Sequence, residues 1–180
     1  GLERGEIDAI QGMFYSPERD KTFDFSQAHI VNNCVSVVRE DSGSPPSTVE
    51  ALEGKRIVVQ KGDIMHGFVM EHGLTDQLVL VDSQEEALER LSAGEFDCAL
   101  VARMTAFYWI EQNEWDNLIV GRDALASPEY CFAVPNGNQP LLAQLSEGLA
   151  AVSQSGEYHR IQEKWMGVYE ERAEWGEFLR

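Results

Sequence analysis

The sequence predicts an α/β protein of two lobes, and three observations carry that prediction. From residue 55 to residue 121, short apolar runs alternate with amphipathic stretches. This is the βαβ rhythm of a parallel sheet with helices on both faces. Two further strand-like runs, CVSVVR at 34–39 and YCFAV at 130–134, bracket that block. A chain that leaves by one strand, builds a lobe and returns by another makes two lobes joined by a two-strand hinge. Finally, the pattern L-x-x-G-E-x-D occurs in LERGEIDAI (2–10) and again in LSAGEFDCAL (91–100), Asp8 being answered by Asp97, 97 − 8 = 89 residues later. One copy falls in each lobe. The boundaries on this reading are 1–37 with 130–180 for lobe one, and 38–129 for lobe two.

The elements follow in order. Gly5 stops a helix end, and EIDAIQ (6–11) reads as a short strand. GMFYSPERDKTFDFS is a loop leading into a polar, aromatic run, and CVSVVR is a β-branched strand. SGSPPS (42–47) is a turn-rich linker. Ser47 and Glu50 fit a capping box that opens a short helix closed by Gly54. KRIVVQ (55–60) has the continuous apolar character of a strand buried on both faces. Asp63 is placed to cap a helix that Gly73 ends, and LVLV (78–81) is the next strand. Ser83 and Glu86 form a second capping box, and Ala87, Leu88 and Leu91 keep helical spacing up to Gly94. FDCALVA (96–102), NLIVG (117–121) and YCFAV are strands, with TAFYWIEQ a helix between the first two. Pro140 starts a helix with Leu142, Leu145, Leu149 and Val152 on one face, and Gly156 separates it from a helix carrying Tyr158, Ile161 and Trp165.

Composition narrows the function. The 180 residues hold 31 acids against 14 bases, a net charge of −17. Nucleic-acid binding needs a basic face, so a polyanionic partner is not expected. Such acidity reads as a solvated, self-repelling surface. No run of about 18 apolar residues marks a membrane span, and no signal peptide is visible. The three cysteines, Cys34, Cys98 and Cys131, sit in apolar runs without C-x-x-C spacing. They read as buried thiols, with a Cys34–Cys131 disulfide as the alternative. His29, His66, His72 and His159 show no ligand spacing, so no metal site is expected, and no cofactor motif is present. G-x-S-x-G and H-E-x-x-H are also missing, and nothing ties Glu18 to His66 as an acid and a base. No catalytic residue is assigned.

Ligands of open α/β sheets bind beyond the carboxyl ends of strands. The segment after strand 6–11 offers Gly12, Met13, Phe14, Ser16 and Arg19. The Ser16 hydroxyl and the Arg19 fork suit a carboxylate. Arg19 could equally pair with Glu18, Asp20 or Asp24 on the surface. Gly62, Asp63 and Ile64 stand at a helix start, whose backbone N–H groups suit an anion unless Asp63 caps it. Arg103 follows strand 96–102 as a third candidate, an outward-facing arginine being the alternative.

These residues also carry a family resemblance. SPERDKTFDFSQAH is similar to the S/T-P-E-R and F-S-x-P-Y signature of family-3 extracellular solute-binding proteins. ALEGKRIVVQKGD resembles the family's start of lobe two, the two L-x-x-G segments resemble its paired repeats, and GEYHRIQEKWMG its closing motif. YCFAVPNGN and DCALVAR look like the variety fused to sensor histidine kinases or diguanylate cyclases. The resemblance implies a periplasmic type II binding fold that closes on a small carboxylate-bearing ligand, an amino acid or organic acid. It gives Arg19 the ligand's carboxylate, with Ser16, Gly12–Phe14, and residues 62–64 around it. The fold is a non-enzymatic sensor domain on this reading, periplasmic and tethered to the inner membrane in the full protein. A free binding protein of an ABC importer is one alternative, and a dehydratase or lytic transglycosylase using Glu18 is another.

Two departures bear on the ligand. The family's lobe-two aspartate for the α-amino group would fall at Ala102, which is no acid and is followed by Arg103. Position 63 is Asp where the family has a small hydroxyl residue. The first turns the expectation toward a dicarboxylate or other organic anion. The family's first β-α-β-α stretch has no counterpart here, so lobe one is expected to be incomplete and to associate with another chain through strand edges. VYEERAEWGEFLR (168–180) either leads toward a membrane helix or is a polar helix end.

Overall fold

The computed structural model describes residues 1–175, with side chains as far as Gly167 and that of Tyr169. Residues 176–180, the end of the polar tail, lie outside the described residues. The chain divides into two compact units: residues 1–32 with 128–168, and residues 33–127 with the chain from 169. The chain passes from one to the other at 32–33, 127–128 and 168–169, and the strands that hold 34–39 and 130–134 lie beside the first two of these. Each of those strands belongs wholly to one sheet. Cys34 to Val38 are all buried, and such a β-branched run is held by a sheet interior.

The first unit is built on one long strand. Strands β1 (Ile10–Phe14), β2 (Phe23–Phe25) and β3 (Ile30–Val31) all pair antiparallel with a later strand, Glu129–Pro135, the ninth in the chain. The sequence places the first strand at 6–11; the structure begins it at Ile10, because residues 1–8 are taken up by a 3-10 turn and a bend closed by Gly5 at φ 67°. Strand β2 lies inside the polar, aromatic run that follows the loop, and β3 in the stretch 27–33, to which the sequence assigns no element. Their five residues are legible as strands only once the long strand is there to pair with them.

The second unit holds β4 (Cys34–Arg39), α1 (Val49–Leu52), β5 (Ile57–Gln60), α2 (Ile64–Glu71), β6 (Leu78–Val81), α3 (Gln84–Ser92), β7 (Cys98–Ala102), α4 (Arg103–Gln112) and β8 (Leu118–Val120). Strand β9 is the long strand of the first unit, followed by α5 (Gln139–Gln154) and α6 (Glu157–Trp175). The sheet order is β6-β5-β7-β4-β8. It is mixed rather than wholly parallel: β5 runs parallel to β6 and β7, whereas β4 pairs antiparallel with both β7 and β8. Strands β5, β6, β7 and β8 therefore run the same way and carry the βαβ rhythm; β4 alone runs opposite, between β7 and β8.

Two cores flank this sheet, as the two-residue alternation of strand side chains requires. Val35, Val37, Val58, Ala99 and Val101 join Ala87, Leu88 and Leu91 of α3 and Ala106 and Ile110 of α4. Cys34, Val38, Ile57, Val59, Cys98 and Leu100 join Leu52 of α1 and Met65 and Val69 of α2. The caps hold these helices in register. Ser83 Oγ accepts the Glu86 N–H at 3.1 Å, as the sequence suggests, while Glu86 reaches the Asp82 N–H at 3.0 Å rather than that of Ser83. For α1 the cap is Thr48, not Ser47: Thr48 Oγ1 accepts the Ala51 N–H at 3.3 Å.

Candidate ligand site

In the first unit, the residues after β1 form a small preorganised cluster. Ser16 Oγ accepts the Arg19 backbone N–H at 3.3 Å. The Arg19 guanidinium donates to the Phe14 carbonyl at 2.8 Å. A five-residue loop thus folds back so that one nitrogen of the fork is held by the end of its own strand, which fixes where the charge stands. Glu18 is not its partner: it is exposed and paired with Lys21. Asp24 accepts instead from the Gly137 N–H at 2.7 Å and from Gln139 at 2.9 Å.

Gly12 and Met13 sit at an irregularity of β1. Ile10 faces Ala133 and Met13 faces Cys131, so three steps on one strand match two on the other. This is a β-bulge, a device that re-aims side chains at sheet edges and near sites. The Tyr130 ring packs directly on Gly12, and a methyl group there would lie 2.2 Å from Cε1. Phe14 is buried, its ring 4.8 Å from that of Tyr130. Tyr130 is a participant the sequence reading missed; its only signal is an aromatic residue beginning a strand.

In the second unit, the expectations for Gly62–Ile64 change. Gly62 takes the left-handed φ of 77°, and its N–H goes to His66 Nδ1 at 3.2 Å. The Asp63 N–H goes to the Gln60 carbonyl at 3.2 Å. These two amides are engaged within the loop. Asp63 occupies the N-cap position of α2, but its side chain makes no capping bond. Its carboxylate accepts from Gln84 Nε2 at 3.1 Å. Ile64 packs against the Met65–Val69 core.

Arg103 is the first residue of α4, and its N–H donates to the Asn33 carbonyl at 2.8 Å. Its guanidinium turns to the Arg122 carbonyl. Burial lowers its pKa, opposed by the Asp123 charge. Arg103 Nε is buried without a hydrogen-bond partner among the described residues. Among those residues no group of His, Cys, Asp or Glu could hold a metal ion, and no helix is long and apolar enough to cross a membrane.

The profile of the bacterial extracellular solute-binding proteins, family 3, matches residues 1–168. The chain belongs to this family. Among family-3 relatives, ABC transporter arginine-binding protein 1 of Escherichia coli (strain K12) is 27% identical over 87% of this chain and 64% of its own length. The virulence sensor protein BvgS of Bordetella bronchiseptica is 24% identical over 92% of this chain and 13% of its own. A crystal structure of a histidine kinase sensor domain with similarity to periplasmic binding proteins superposes with a TM-score of 0.88 at 34% identity, covering 92% of this chain and 72% of that one. This chain therefore has the periplasmic-binding-protein α/β fold. It spans less than two thirds of the arginine-binding relative.

Proposed function

We propose that this chain is the ligand-binding part of a periplasmic sensor domain, tethered to the inner membrane, that recognises a small carboxylate-bearing molecule and signals to a kinase or cyclase. The domain binds without turning its ligand over. The observation that carries the reading is the pinned Arg19: the Phe14 carbonyl and Ser16 hydroxyl hold the loop at the end of β1. The planar fork of an arginine suits a carboxylate. Gly12, Met13 and Phe14 supply the wall beside it; in the second unit the candidates are Gly62, Asp63, Ile64 and Arg103.

The likeness to a kinase sensor domain favours signalling over transport. The arginine-binding relative supports an amino acid as ligand, and keeps a free binding protein of an importer as the second reading. A membrane span followed by a kinase or cyclase in the full gene decides between them. Among the described residues strand β1 pairs with β9 alone and so ends its sheet, and α5 has no buried residue; self-association through this unit is part of the proposal, checked by light scattering of the purified protein.

The test is thermal shift of the full-length protein over amino acids, dicarboxylates and polyamines, since a ligand of the native state raises the melting point. Arg19→Ala is expected to abolish the shift. A shift that survives that change removes the carboxylate assignment.

A further inference from the structure

His29 immediately precedes β3, and its ring packs against two rings of β9, that of Phe132 at 5.0 Å and that of Tyr130 at 5.8 Å. Its backbone is held from two sides. The His29 N–H donates to the Tyr130 carbonyl at 3.0 Å, and the His29 carbonyl accepts from the hydroxyl of Tyr158 on α6. One residue thus joins β9 to α6, and all of these residues belong to the first unit.

The imidazole itself is poorly provided for. Its Nδ1 is buried with no hydrogen-bond partner among the described residues. His29 takes part in none of the ion pairs found among those residues. From β9 it meets the Tyr130 phenol and the Phe132 ring, while Glu129 at the start of that strand is exposed. From α6 it meets Tyr158; there Glu157 is paired with Arg160, and His159 is exposed. Asp24 of β2 is taken up by Gly137 and Gln139. Burial lowers the pKa of His29. A neutral imidazole tolerates such a place. An imidazolium carries N–H at both nitrogens, and a buried charged donor without an acceptor is strongly disfavoured.

The element placed to yield is α6. None of its residues from 157 to 167 is buried, and Ile161 and Trp165 are exposed. An element with so little buried surface opens before the sheet it lies on.

We infer that the domain has a second input, the proton, and that His29 receives it: neutral, His29 stays against Phe132 and Tyr130 while its carbonyl holds Tyr158; protonated, it leaves those rings and releases the start of α6. The proton acts without Arg19, so this input does not depend on the ligand reading above.

Hydrogen exchange of the full-length protein, compared at equal intrinsic rates, tests it. From pH 6.5 to 5.5 the amides of residues 157–167 are expected to lose protection several-fold, and by no more than about tenfold, the limit for one proton. They are expected to open before those of β9 at both pH values. His29→Gln and His29→Phe, which carry no titratable ring, are expected to abolish the step; the second keeps an aromatic ring at the site should the first fold poorly. Tyr158→Phe, which lacks the donor to the His29 carbonyl, is expected to hold α6 at its acid level throughout, while its denaturation midpoint still declines with acid as the parent's does. A general loss of stability would not separate those two readouts. His159→Gln, at the exposed histidine of α6 itself, is expected to keep the step. No step in the parent, a step that survives both His29 variants or disappears in His159→Gln, or one that β9 shares at equal protection overturns the assignment.

Discussion

The ring of Tyr130 occupies the space a side chain at Gly12 would need: a methyl group there would lie 2.2, 2.3 and 2.5 Å from Cε1, Cζ and Oη. The bulge between Ile10 and Met13 and the 4.8 Å packing of Tyr130 on Phe14 form around that contact. Gly12→Ala must push the ring off the strand. It is expected to destabilise the protein by about 1–3 kcal/mol, the range for overpacking a fitted site. Urea denaturation measures this, and Tyr130→Ala should remove most of the penalty in the double variant, since coupled neighbours do not add. An additive pair of losses would show that the ring is not what Gly12 accommodates.

Ser36 gives a second prediction, in the other unit. It is a fully buried polar residue on β4, and its hydroxyl donates to the carbonyl of Pro46, itself buried, at 2.6 Å. This bond ties the SGSPPS linker to the sheet. Ser36→Ala leaves that carbonyl without its donor and is expected to cost about 1–3 kcal/mol in chemical denaturation. Ser47→Ala, at a residue that does not cap α1, is expected to stay within about 0.5 kcal/mol of the parent.

The repeat was legible because its residues do the same local work twice. Leu2 and Leu91 are both buried, and Gly5 and Gly94 both take left-handed φ, 67° and 88°. The second aspartate has a further duty the pattern does not reveal: Asp97 receives the Arg56 backbone N–H at 2.8 Å and its guanidinium at 2.8 Å. Asp8 is exposed. The parallel strands were legible too, since burial on both faces leaves an unbroken apolar run. What sequence could not supply was partner choice. Strands β2 and β3 are too short to show alternation and exist by pairing with β9. Asp63 read as a cap because caps are local, whereas Gln84 lies 21 residues away. Tyr130 and Gln84 were missed for the same reason: their roles are set by neighbours distant in the chain.

The cysteines give a third prediction. Cys34, Cys98 and Cys131 are buried thiols, and no disulfide joins Cys34 to Cys131. Burial pushes the Cys34 and Cys98 thiols up to about 12, against the pull of Lys55 on Cys98, and raises that of Cys131. The thiolate is the reactive species, so the native protein is expected to react negligibly with a disulfide reagent at pH 7. Denaturant should release three equivalents from the three thiols. Rapid native labelling, or only one equivalent after unfolding without reductant, would contradict this.

His29 sets the fourth. Its ring lies 5.0 Å from Phe132 and 5.8 Å from Tyr130, and its Nδ1 is buried without a hydrogen-bond partner among the described residues. Burial lowers its pKa below the ordinary 6.5. The unfolded chain therefore takes up a proton before the folded one does, and stability falls as pH drops below about 6.5. The loss ends once the folded pKa is passed and cannot exceed one proton, about 1.4 kcal/mol per pH unit. Asp97, held below its ordinary 3.8 mainly by the Arg56 hydrogen bond, loses its contribution only at lower pH, so the two windows separate. Denaturation midpoints measured from pH 7.5 to 5 are expected to decline in the parent and to flatten in His29→Gln. An equal decline in both would mean that another group carries the proton.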